Sequence, residues 1–114
     1  MEFRENEQIL LNEKKTFLLV EERINKTVVI GAPHHAPGGT KELPCPEHKA
    51  ADENTGLIAH KLSELLQLSA VIVCNATIDP NKNLDTDYSK KILNWKPKFL
   101  IEIHGHGGQK AGAM

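Results

Sequence analysis

The chain predicts an α/β fold, a mixed and mostly parallel sheet flanked by helices. Two observations lead there. Short apolar runs alternate with helical periodicity in the order β-β-α-β-α-β. The run Ala70-Val71-Ile72-Val73-Cys74 is apolar throughout, as a strand covered on both faces must be. At 114 residues, one domain spanning 1–114 is expected.

The elements follow in order. Residues 16–20 and 27–30 are apolar or β-branched runs separated by a charged stretch containing Asn25, and they read as the two strands of a hairpin. After Ile30 the composition shifts abruptly, and residues 31–46 hold four prolines and three glycines, which predicts a loop. Loops longer than ~12–15 residues are uncommon in compact domains and are often functional. A helix comes next: Asp52, Asn54 or Thr55 can cap it, and Ile58, Leu62, Leu65 and Leu66 recur at helical spacing. Residues 79–83 form a turn by their chemistry. Tyr88, Ile92 and Trp95 give a second helix that stops before Pro97, and Phe99-Leu100-Ile101-Glu102-Ile103 is the closing strand. No pattern follows Gly108.

Composition excludes several classes. Lys and Arg total 14 against 15 Asp and Glu, and a net charge of −1 argues against capture of nucleic acid or an anionic membrane. No apolar run approaches the ~18–20 residues of a membrane span. Residues 1–7 are acidic and polar, without a secretory leader. The two cysteines, Cys45 and Cys74, form no Cys-x-x-Cys pair and fit a reducing compartment. The expectation is a soluble, cytoplasmic protein. Cys74 reads as a small buried hydrophobe.

Polar residues of chemical use collect where strands end. Ile30 leads to His34 and His35, Cys74 leads to Asp79, and Ile103 leads to His104 and His106. Ligands of open α/β sheets bind beyond the carboxyl ends of strands, so these residues can meet at one rim, with Asp52 and Glu53 at the start of the first helix. Two histidines and a carboxylate with an open fourth position are a catalytic zinc arrangement, one that activates water or polarises a carbonyl. Zinc ranks above other divalent ions by ligand type alone.

Plainer roles exist for each residue. His34 and His35 can bond turn backbone, His106 can be a solvated loop residue, and His60 can lie at the helix surface. Asp52 and Asn54 are explained by helix capping. Cys45-Pro46-Glu47-His48 has the spacing of half a structural zinc site but lacks a second pair. Glu102 shares a strand face with His104 and can orient it, move a proton or be a plain edge charge.

Four segments in order carry a family resemblance: Pro33-His34-His35, Ala51-Asp52-Glu53-Asn54-Thr55-Gly56, Ile78-Asp79-Pro80-Asn81-Lys82 and Ile101-Glu102-Ile103-His104-Gly105. Together they resemble the N-formylglutamate amidohydrolase family and, more distantly, the zinc carboxypeptidase and aspartoacylase group. The likeness spans residues 28–108. It implies a phosphorylase/hydrolase-like fold and one zinc held by His34 (alternate His35), Glu53 (alternate Asp52) and His104. It further implies a substrate carboxylate gripped by Asn81 and Lys82, beside Asp79. Lys82 stands where relatives carry Arg, keeping the charge but losing the bidentate fork.

Members of that family continue well past the last histidine ligand and draw their general-base carboxylate from that region. The resemblance therefore implies a short or C-terminally truncated member, with Glu102 as a stand-in base. A sheet edge and helix faces left uncovered would invite self-association into a homo-oligomer. The expected activity is zinc-dependent hydrolysis of an amide in a small, carboxylate-bearing N-formyl or N-acyl amino acid. The alternative is an inactive metal-binding or oligomerising relative.

Overall fold

The computed structural model describes Phe3, Glu7 and residues 16–105. It holds strands β1 (Phe17–Glu21), β2 (Val28–Ala36), β3 (Asp52–Glu53), β4 (Ser69–Cys74) and β5 (Phe99–Glu102). Helix α1 (Thr55–Leu66) lies between β3 and β4, and helix α2 (Asp87–Trp95) between β4 and β5. The fold is α/β with one mixed, open sheet. His106 and the segment after Gly108 lie outside the described residues.

β4 is central and all six of its residues are buried, as its unbroken apolar sequence requires. One edge pairs antiparallel with β1 and the other parallel with β2. The far edge of β2 is shared: β5 runs parallel to residues 28–31, and β3 runs parallel to His35 and Ala36. The strands β2, β4 and β5 are thus parallel, as expected.

The hairpin of the first two strands does not form. β4 lies between β1 and β2, and residues 17–21 pair instead with residues 70–74. The partner of each strand comes from distant sequence, so a local turn signal misleads here.

Alternation along the strands sorts the core into two layers. On one side, Ile30, Ala32, Ala70 and Ile72 pack with Ala59 of α1. On the other, Val29, Val71, Val73 and Ala76 pack with Tyr88 of α2, and Ile92 and Trp95 of α2 border them.

α1 presents a different face from the one its leucines suggest. Thr55, Gly56, Ala59 and Ser63 are its buried residues; of the four expected apolar positions Leu62 packs against the core, whereas Ile58, Leu65 and Leu66 are exposed. Small side chains let the helix axis come close to the sheet. A Cβ on Gly56 would sit 2.5 Å from the His35 ring and 2.7 Å from Ile72. The N-cap is Asn54, in the left-handed region at φ 64° and without a side-chain cap bond; Thr55 instead donates to the Asp52 carbonyl at 2.8 Å. α2 matches its expected face, and Thr86 caps it by accepting the Ser89 N–H.

The second correction concerns β2. The strand does not stop at Ile30 but runs through Pro33, His34 and His35 to Ala36, all buried. The loop begins only at Pro37. Its later part folds back on itself through Leu43 N–H to Lys49 O at 2.7 Å and Ala51 N–H to Lys41 O at 2.9 Å. Leu43, Cys45 and Ala51 seat it against Ala36.

β5 pairs with β2 alone among the described residues, and Phe99, Leu100 and Ile101 are exposed along it. No helix among the described residues is long and apolar enough to cross a membrane.

Two outcomes follow. Gly56→Ala should destabilise the protein by ~1–3 kcal/mol in urea unfolding, because the added methyl overpacks a closed contact. Burial, reinforced by the Glu7 charge, pushes the Cys74 thiol from its ordinary 9.0 up to about 12. The unfolded thiol then ionises before the folded one, so stability falls as pH rises from 9 towards 12. Urea midpoints across that range should shift downward, and Cys74→Ala should remove part of the slope.

Candidate metal centre

The parallel strands β2, β4 and β5 all point their carboxyl ends to one rim, and there the polar residues converge. The register decides which ones. Ala32 pairs with Ile72, but His35 pairs with Cys74, so β2 spends one more residue than β4 over this stretch. Such a bulge changes which way the following side chains face. His34 and His35 consequently go to different environments.

His35 turns toward α1. Its Nδ1 accepts the Gly56 N–H at 2.8 Å, and its Nε2 donates to the buried Glu7 carboxylate. With both ring nitrogens occupied, and with the nearby Cys74 thiol held protonated, the Glu7–His35–Cys74 group is a hydrogen-bonded part of the core.

His34 turns toward the loop after β4. Its Nε2 donates to Asp79 Oδ1 at 2.8 Å, and the Asn81 N–H donates to the same oxygen at 2.9 Å. Burial works to raise the Asp79 pKa, but these two hydrogen bonds and the neighbouring imidazoles of His34 and His48 hold it below the usual carboxylate value. With Nε2 engaged by Asp79, the other ring nitrogen of His34, Nδ1, offers its lone pair in the neutral tautomer that this bond favours.

That lone pair faces Asp52. His34 Nδ1 lies 3.4 Å from Asp52 Oδ2, and His104 Nδ1 lies 3.6 Å from the same oxygen. His104 in turn donates from Nε2 to Glu102 Oε1 at 3.2 Å. Gly105 lets the chain pass this close, since a Cβ there would lie 3.3 Å from Asp52 Cα.

His34, Asp52 and His104 each offer one ligand atom to a common point. Zinc bonds of ~2.0–2.2 Å put tetrahedral ligand atoms roughly 3.3–3.6 Å apart; the two separations to Asp52 Oδ2, 3.4 and 3.6 Å, match this, and all three ligand atoms lie within 4.8 Å of one another. A second observation agrees. His34 Nδ1, Asp52 Oδ2 and His48 Nε2 are buried and have no hydrogen-bond partner among the described residues. Buried polar atoms are normally satisfied, and a cation would satisfy the first two. The donor set therefore fits a divalent metal. Both histidines also carry a carboxylate on the distal nitrogen, the arrangement that fixes tautomer and ring orientation around protein-bound metals.

The remaining candidates fall elsewhere. Glu53 is exposed and accepts the Gly39 N–H at 2.8 Å, so Asp52, and not Glu53, is the carboxylate beside His34 and His104. Glu102 is engaged twice, by His104 and by the Tyr88 hydroxyl, which donates to Oε2 at 2.7 Å. Asp79 serves His34. Asn81 and Lys82 are exposed on the loop beyond it. Cys45 is buried among apolar residues, while the His48 ring turns away to stack on His34. His60 bonds Glu21.

Two participants were hidden in the sequence. Tyr88 reads as a core residue from its helical spacing, although a buried tyrosine needs a partner for its hydroxyl. Burial, then the hydrogen bond to Glu102 and its charge, push the Tyr88 pKa up. His48 has no local signal beyond its spacing from Cys45. Compared with protein-family models, curated proteins and solved structures, the chain matches none.

Tyr88→Phe should cost ~1–3 kcal/mol of stability, since it leaves a half-buried carboxylate oxygen of Glu102 without its donor. Urea unfolding of the variant measures it; an unchanged midpoint would show that the contact contributes nothing.

Proposed function

We propose that the chain binds one divalent cation, zinc by ligand type, at His34, Asp52 and His104, and uses it to hydrolyse an amide of a small carboxylate-bearing compound. The observation that carries the metal reading is the pair of buried, unpartnered atoms, His34 Nδ1 and Asp52 Oδ2, facing each other at 3.4 Å. The hydrolytic reading rests on the resemblance of four ordered segments to the N-formylglutamate amidohydrolases.

A zinc ion supplies Lewis acidity and lowers the pKa of water at its open position. The chain's own residues do the rest. Asp79 and Glu102 hold the imidazoles of His34 and His104 in the tautomer that leaves Nδ1 bare. Asp52 brings a negative charge that balances the ion inside a buried rim. Asn81 and Lys82, on the exposed loop that Asp79 anchors, offer an amide and a cation to a substrate carboxylate. Lys82 does so as a point charge.

A second reading, metal binding without hydrolysis, is favoured by one specific feature. Glu102, the stand-in base that the resemblance implies, is already committed to Tyr88 and His104. It holds a proton donor on each oxygen and is poorly placed to accept one from water.

Elemental analysis of purified protein should find about one zinc per chain, and His104→Ala should lose it, along with any release of formate or acyl group from N-formyl and N-acyl amino acids. Unchanged zinc content in His104→Ala would remove the site as drawn. Zinc bound without turnover would select the second reading.

A further inference from the structure

Resting on the metal reading above, we infer that His48 is the positioning residue for Asp52, donating from Nε2 to Oδ1 while Oδ2 faces the ion. Each of the other two ligands has an outer partner: Asp79 for His34 and Glu102 for His104. For Asp52, the side chain that faces Oδ1 is His48, whose Nε2 lies 3.7 Å away, buried and without a hydrogen-bond partner among the described residues.

The stacking of the rings separates this role from direct ligation. His34 and His48 lie parallel, 3.6 Å between centroids and 7° between planes. An imidazole binds a metal along a lone pair in its own ring plane, at ~2.0 Å. An ion in the plane of His34 is displaced from the plane of His48 by roughly the stacking distance, so the two rings do not share it. The His48 Nε2 instead faces Oδ1 of the shared carboxylate from 3.7 Å.

The loop that carries His48 is built to hold it there. The His48 N–H closes a turn on the Cys45 carbonyl at 3.2 Å, and the Cys45 side chain at the start of that turn is buried. Glu47 ties the same turn to the Asp79 loop, accepting from the Asp79 N–H at 3.3 Å and from Asn83 at 3.2 Å. The outer partners of His34 and Asp52 are thus mechanically joined, and removing His48 leaves the carboxylate free to rotate.

The experiment compares the wild-type chain with His48→Ala and His48→Gln. It measures zinc affinity by competition with a chromophoric chelator, and ligand number from the visible spectrum of the cobalt(II) form. His48→Ala should bind zinc ~10–100-fold more weakly. His48→Gln, whose amide N–H can donate to Oδ1, should recover most of that loss. Both variants should keep the cobalt band intensity of the wild type, because the ligand count is unchanged. Equal zinc affinity in His48→Ala, or failure of Gln to recover it, overturns the positioning role. Loss of cobalt intensity in both variants overturns it in favour of direct ligation. A wild-type chain that binds neither metal overturns the metal reading itself, a result distinct from wild-type binding that His48→Ala leaves unchanged.

Discussion

β2 spends one residue more than β4 between Ala32 and His35, and that single extra residue decides where two adjacent imidazoles go. Without it, strict alternation would send the histidine at position 34 to the side of Ile30 and Ala32, into the layer covered by α1. With it, His35 takes that side and locks to the first turn of the helix, while His34 is delivered to the rim with Asp79, Asp52 and His104. The same shift seats His35 against Gly56, so the close approach of α1 and the assembly of the rim depend on one backbone irregularity.

The rim is expensive to keep dry. Asp52 and Asp79 are both almost fully buried, and His34 lies between them. Two carboxylates close to one imidazole put an excess of acidic groups where water no longer solvates them. Asp79 resolves its share with hydrogen bonds from His34 and Asn81. Asp52 does not, since one of its oxygens has no donor at all. A divalent cation is the chemical species that would neutralise this excess and use the lone pairs already turned toward it.

Much of this was readable from the chain. The unbroken apolar run of β4, the Tyr88–Ile92–Trp95 spacing of α2 and the collection of histidines and carboxylates at strand ends all appear in the structure. What the sequence could not show was pairing. The hairpin reading of β1 and β2 failed because the partner of β1 lies some fifty residues onward in β4. The face of α1 was misjudged because apolarity marked Ile58, Leu65 and Leu66, whereas closeness to the sheet selected Gly56, Ala59 and Ser63. Whether Asp52 or Glu53 faces the rim is a question of strand parity, and parity is a tertiary fact. His48 was weighed only with Cys45, its sequence neighbour, and its true neighbours lie on other elements.

β5 is joined to the sheet along one edge, by residues 28–31 of β2, and carries His104 just beyond its end. Asp52 sits at the opposite limit of β2, on β3. An ion held between His34, Asp52 and His104 would therefore act as a cross-link, fastening the end of β5 to the far end of β2 and to β3. Its binding energy would appear as resistance to unfolding, growing with the logarithm of free metal concentration. In that case a chelator would loosen the fold from β5 inward, before it touched the buried layers around β4.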